Sequence, residues 1–358
     1  MARSKLLLIF VGNLPMNALA IDPKNHIRNH ERFHTRHHKS GGGFQNFPAT
    51  DRNPPGLKAA GWILGRAFRS LQGFDNTAIE RIDPAILRSP APKSHRTFWL
   101  GHASALIQIG EQIILTDPVF SRRIGPSPLA GIPRFVENPI EIADLPRVDS
   151  VLISHDHYDH LDADSVLELE RRFRPWWFVP RGVGSILENL GIARVCEMDW
   201  WQYLEHGDLT FHCLPARHFS GRGLLDRDGT LWASWAISPP RDIFRNRPPA
   251  IYFAGDTGYG PHFKEIRDVI GPIDLALLPI GAYLPRWFMQ PVHIDPAEAI
   301  EACLDLSAER MLAIHWGTFD LADEALHEPP RELERMIESR GLDPSRFAVL
   351  PVGGSLSR

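Results

Sequence analysis

The stretch that most constrains this chain is Ser154-His155-Asp156-His157-Tyr158-Asp159-His160. It follows Val151-Leu152-Ile153, an apolar run that reads as a buried strand, and precedes a helical pattern. Ligands in a loop just past a strand's C-terminal end sit where α/β sheets place their sites. Imidazole and carboxylate are the donors that zinc accepts when thiolate is absent. His155 and His157, two apart, can share one ion from a turn. Asp159 and His160 then face a second ion, as in two-metal hydrolytic sites. Each ion needs at least three or four donors, so the rest of the chain must return more side chains to this loop.

Three later residues follow strand signals in the same way: His218 within Pro215-Ala216-Arg217-His218, Asp256 within Gly255-Asp256-Thr257-Gly258, and His315 within His315-Trp316-Gly317-Thr318. Taken singly, each reads as a satisfied polar residue. As an ordered set behind the first run, they read as ligands converging on one rim. Asp117 ends the run Ile113-Ile114-Leu115-Thr116 and precedes Pro118. It is either a buried partner that fixes a ligand imidazole or a turn residue before proline. His293 precedes a helix with a clear start: Asp295 as N-cap, Pro296 at the first helical position, and Glu298 to close a capping box.

The 358 residues allow one large domain with extensions or two domains, and 43% hydrophobic residues can bury a sizeable core. A net charge of −4 gives no basic face for nucleic acid. The three cysteines, Cys196, Cys213 and Cys303, lie far apart and read as buried apolar thiols.

Residues 1–20 carry basic Arg3 and Lys5, an apolar run and Ala18-Leu19-Ala20. This reads as a signal peptide or as an uncleaved apolar arm. Residues 21–94 read as an irregular extension, rich in glycine and proline, with a helix over 57–71. Its His26, His30, His34, His37 and His38 are unevenly spaced, which favours a solvated or packed segment over a metal site. Residues 95–358 form the main domain. Strands are expected over 97–100, 105–109, 112–116, 150–154, 177–180, 209–215, 231–237, 251–254, 275–279 and 311–314. Helices are expected over 163–172, 183–190, 263–270, 296–304 and 330–340. Strands alternating with helices indicate an α/β layered fold.

The ordered set H-x-H-x-D-H, His, Asp, His, with Thr116-Asp117-Pro118 upstream, resembles the metallo-β-lactamase superfamily. Gly255-Asp256-Thr257-Gly258-Tyr259, Pro279-Ile280-Gly281-Ala282-Tyr283, His293-Ile294-Asp295-Pro296 and Ala313-Ile314-His315-Trp316-Gly317 narrow the resemblance. They are similar to the N-acylphosphatidylethanolamine-hydrolysing phospholipase D proteins over roughly residues 95–330. Around His218 the wording Arg217-His218-Phe219-Ser220-Gly221-Arg222 is closer to bacterial relatives of unassigned substrate.

The resemblance implies an αββα sandwich of two mixed sheets flanked by helices. It implies two zinc ions, with other divalent transition metals also fitting the donors. His155, His157 and His218 would hold the first ion. Asp159, His160 and His315 would hold the second, and Asp256 would bridge them. A metal-bridging hydroxide would attack phosphorus in line, releasing N-acylethanolamine and phosphatidate. Asp159, Asp256 and His293 are the expected catalytic residues. His293 would protonate the leaving alkoxide or bind phosphate, or else merely support the helix start. Tyr283, Arg286, Trp287 and Phe288 suit a phospholipid substrate at a membrane surface, or packing in the core or a homodimer interface. Peripheral membrane association is expected, on the exported or the cytoplasmic side. The rival reading is a hydrolase of a lactone or small phosphorylated metabolite on the same fold.

Overall fold

In the computed structural model, residues 26–49, 61–62, 65, 79–91, 95–127, 130–223, 225–239 and 250–358 are described. The expected signal or arm over 1–20 lies outside them, as does most of the expected helix over 57–71.

Two large sheets form the centre. One has eight strands in the order β1 (Arg28–Asn29), β10 (Gln202–His206), β11 (Leu209–Leu214), β12 (Ser234–Ser238), β13 (Ala250–Phe253), β14 (Ile273–Pro279), β15 (Ala308–Ile314), β16 (Phe347–Ala348). The other has seven, in the order β17 (Ser355–Ser357), β2 (Arg96–Gly101), β3 (Ser104–Ile109), β4 (Gln112–Thr116), β7 (Ser150–Leu152), β8 (Trp176–Pro180), β9 (Val195–Met198). A small hairpin, β5 (Arg123–Ser127) and β6 (Ala130–Pro133), stands apart. Each large sheet is antiparallel on one side and parallel on the other, from β13 to β16 and from β4 to β9. Parallel neighbours end at the same edge, so the loops after β4 and β7, and those after β13, β14 and β15, emerge side by side.

The strands are apolar on both faces because both faces are covered. On β4, Ile114 joins the core between the sheets, while Ile113 and Leu115 face the other way. There they meet Val166 and Leu169 of the helix Ala163–Phe173 and Val183 and Leu187 of the helix Val183–Asn189. Helices His262–Ile270, Pro296–Asp305 and Glu328–Ser339 cover the eight-stranded sheet through Phe263, Ile300 and Leu333. The result is the expected αββα order of layers. The capping box of Asp295 and Glu298 is formed. All three cysteines are buried, and none forms a disulfide among the described residues. Among the described residues, no helix is long and apolar enough to cross a membrane.

The strand expected over 231–237 begins only at Ser234. Just before it, the amides of Leu231 and Ala233 donate to the carbonyls of Arg181 and Ser154, which belong to the seven-stranded side. The expected extension is also tied down. Arg28–Asn29 pairs with β10, His30 and His37 are buried, and His37 stacks on Trp200 at 4.3 Å.

Candidate metal centre

The candidate ligands meet at one edge of the sandwich, in two adjoining groups. In the first, His155 Nε2 lies 2.7 Å from His157 Nδ1, and His218 Nε2 lies 3.2 Å from the same nitrogen. The outer nitrogens are fixed: His155 Nδ1 lies 2.9 Å from Ser154 Oγ, and His218 Nδ1 lies 3.0 Å from the Val292 carbonyl. Such partners select the tautomer and leave the inner nitrogen free to ligate.

The second group holds Asp159, His160 and His315. His160 Nε2 is 3.3 Å from Asp159 Oδ2, and His315 Nε2 is 3.8 Å from the same oxygen. Asp256 reaches both groups. Its Oδ1 lies 3.0 Å from His315 Nε2, and its Oδ2 lies 3.2 Å from His160 Nε2 and 3.8 Å from His218 Nε2. Two glycines permit this convergence. Gly255, with φ +58°, stands against Ser154, where a Cβ would collide with the Ser154 side chain. Gly281 lies against the carbonyl of His315, which would likewise block a Cβ.

Asp117 is buried and partners the imidazole of a candidate ligand. His160 Nδ1 lies 2.6 Å from Asp117 Oδ2, while the amide of Ser154 donates to Oδ1 at 2.7 Å. His102 was not anticipated. Its Nε2 lies 2.9 Å from Asp159 Oδ2, its ring packs 4.0 Å from that of His315, and its carbonyl accepts the His315 amide. A signal was present, since His102 follows the strand ending at Gly101, the same placement that marked the candidate ligands.

Burial drives His155 and His218 well below the usual imidazole range, so both present neutral nitrogens. Burial would raise Asp159 and Asp256, but neighbouring histidines, His160 first, outweigh it and hold both carboxylates well below their usual range. Burial would lower His160, yet Asp256, Asp159 and Asp117 lift it well above its usual value. The surroundings of His160 thus form a negative field that a cation balances. His160 Nε2, His315 Nε2 and Asp256 Oδ1 are buried without a hydrogen-bond partner, which is costly for polar atoms unless an ion engages them. The donor set therefore fits divalent metal.

His293 faces the same cradle. Its Nδ1 lies 3.8 Å from Asp256 Oδ2, and burial lowers its pKa to about 4. Arg286 is engaged elsewhere: it donates to the His293 carbonyl at 3.1 Å and to Glu298 at 2.8 Å, bracing the turn before the helix. Tyr283 is buried, and its hydroxyl donates to Glu328 at 3.3 Å. Trp287 is 45% exposed beside Phe288, which packs on Trp62 at 5.1 Å.

The Beta-lactamase superfamily domain matches residues 112–316. An uncharacterized protein of Mycobacterium tuberculosis is 45% identical over 240 residues, 66% of this chain and 62% of that one. The chain thus spans somewhat under two thirds of that relative's length. N-acyl-phosphatidylethanolamine-hydrolyzing phospholipase D 1 of Caenorhabditis elegans is 39% identical over 269 residues, 71% of this chain and 73% of that one. The solved structure of a diiron beta-hydroxylase from Streptomyces venezuelae shares the fold, with a TM-score of 0.54 and 23% identity, over 75% of this chain and 55% of that one. By its domain match and by its likeness to the worm phospholipase, the chain belongs to the metallo-β-lactamase superfamily, in the branch that includes the N-acylphosphatidylethanolamine-hydrolysing phospholipases D.

Proposed function

We propose that this chain is a two-zinc phosphodiesterase that cleaves N-acylphosphatidylethanolamine-type phospholipids into N-acylethanolamine and phosphatidate. The observation that carries the reading is Asp256, whose two oxygens reach both ligand groups. His155, His157 and His218 would hold one ion, Asp159, His160 and His315 the other, and Asp256 both. When bound, the ions supply Lewis acidity toward the phosphoryl oxygens and acidify water to near-neutral pKa.

The protein's own groups orient and complete the site. Asp117 and His102 fix His160 and Asp159 from behind. His293, held down at about 4 by burial, meets substrate at neutral pH as an uncharged imidazole. It is suited to donate a hydrogen bond to a phosphoryl oxygen, and less suited to act as a ready proton source. Arg286 braces His293 through its carbonyl and is reassigned from head-group contact to that support. Exposed Trp287, with Phe288, offers apolar surface for acyl chains and for peripheral docking on a membrane.

The test is mass spectrometry of N-acylethanolamine and phosphatidate released from N-acylphosphatidylethanolamine vesicles by metal-loaded protein. No release above a chelated control rejects the substrate. Turnover of a simple phosphodiester in the same preparation would still support the phosphodiesterase. Metal analysis of protein purified without added ions tests zinc against iron, since the Streptomyces relative is a diiron protein.

A further inference from the structure

The segment before the main domain is gripped at two places. His37 Nε2 and His38 Nε2 lie 2.6 and 2.7 Å from the two oxygens of Asp199, one imidazole per oxygen. Such separations are those of charge-assisted hydrogen bonds, and Asp199 sits in the turn between β9 and β10. Phe44 enters the main core, and its amide donates to the Asp228 carbonyl at 2.8 Å. Lys39 Nζ donates to the Asp228 carboxylate at 3.1 Å.

Two residues beyond Phe44 the segment reaches the metal centre. Asn46 is 4% exposed and clasps the backbone of His218. Its Oδ1 accepts the His218 amide at 3.1 Å and the Trp232 indole N–H at 3.0 Å. Its Nδ2 donates to the His218 carbonyl at 3.2 Å. Only this orientation of the amide satisfies all three partners. His218 lies in a loop, four residues past the end of β11, and pairs with no strand among the described residues. The side chain is steadied by Val292 and the main chain by Asn46.

We propose that Asn46 is a positioning residue for His218, so that residues 37–46 are a working part of the metal centre. The proposal rests on the reading of His218 as a ligand. An amide bonded to both the N–H and the C=O of one residue fixes its backbone, and with it the point from which the imidazole reaches the site. Outer partners that hold a ligand in place are worth about 10- to 100-fold in metal affinity, and a backbone clasp acts to the same end.

The test is binding of zinc and cobalt(II) by the whole chain, by competition against a chelator, with cobalt absorption reporting coordination at each ion. Asn46→Asp keeps the shape and the acceptor for His218 N–H and Trp232, but sets an oxygen against the His218 carbonyl. Asn46→Leu removes all three bonds. We expect wild type to take two ions. Each variant should bind one of them about 10- to 100-fold more weakly, with altered cobalt absorption, and the other ion unchanged. Equal weakening of both ions, or none, in folded Asn46→Asp protein overturns the proposal. The isosteric variant decides the matter even where Asn46→Leu does not fold. Absence of ion uptake by wild type would overturn the metal reading itself, and the proposal with it.

Discussion

His155, His157 and His218 are steadied by neutral groups, whereas Asp159, His160 and His315 are steadied by a layer that includes buried charge. Behind the first group stand the Ser154 hydroxyl, the Val292 carbonyl and the Asn46 amide. Behind the second stand the Asp117 carboxylate and the buried imidazole of His102. The supports also differ in where they come from. Asp117 and His102 sit at the ends of core strands β4 and β2, while Val292 and Asn46 belong to loops. The second group therefore combines more negative charge with supports that all sit at strand ends. A carboxylate behind a ligand imidazole raises its basicity, which favours a cation further. The first group depends on loops that the rest of the fold must hold in place.

Asp256 is the candidate ligand whose carboxylate reaches both groups, so its loss should be the most damaging change. Asp256→Asn keeps the shape and removes the shared charge. Activity should fall by on the order of 10³-fold, and both ions should weaken in equilibrium dialysis. Loss of a single ion, with the other at wild-type affinity, would show that Asp256 belongs to one half only.

His102 tests the charged half alone. His102→Leu removes the partner of Asp159 and the packing against His315. The ion held by Asp159 should weaken by about 10- to 100-fold, with the other unaffected. His102→Gln, which retains an N–H donor, should recover part of the loss. Calorimetric titration of both variants decides it, and an equal loss at both ions would argue against separate supports.

What the sequence shows of this molecule follows the length and polarity of its elements. Each of the ten expected stretches contains a strand, although the one expected over 231–237 starts only at Ser234, because apolar runs declare themselves whatever they pair with. Val195–Met198 and Gln202–His206 passed unnoticed: they are short, and they carry Glu197, Glu205 and His206. Their strand character comes from pairing with β8 and β11, and intrinsic preference contributes little. The seven candidate ligands were readable because each follows a strand. Asn46 was not, since its partner His218 lies 172 residues away and nothing local marks it. Asp117 was half readable: its position suggested a support, and only the 2.6 Å approach of His160 separates that role from a turn before proline.

The charge difference predicts an order of metal loss. With Asp159 in its own shell and Asp117 one bond behind, the second group should hold its ion at least about tenfold more tightly, since one added carboxylate close to a cation outweighs that factor even at an effective dielectric near 20. Stepwise chelation monitored by cobalt absorption should strip the three-histidine group first. Release in the opposite order would mean that the loop-borne histidines compensate for the missing charge.

Ser154 should have the smallest effect, and it probes both halves at once. Its hydroxyl lies 2.9 Å from His155 Nδ1 and donates to Asp117 Oδ2 at 2.5 Å. Ser154→Ala removes one hydrogen bond from each side. Asp117 still keeps the Ser154 amide and His160, and His155 stays packed against His160, their rings 4.2 Å apart. A net hydrogen bond is worth about 1 kcal/mol, so each ion should weaken by roughly fivefold, in near-equal measure. An effect confined to the three-histidine ion would mean that Asp117 is fixed without the hydroxyl, and that the charged half is even more self-sufficient. An effect confined to the other ion would mean that His155 is held by packing, and that hydrogen bonding matters more in the half already rich in charge.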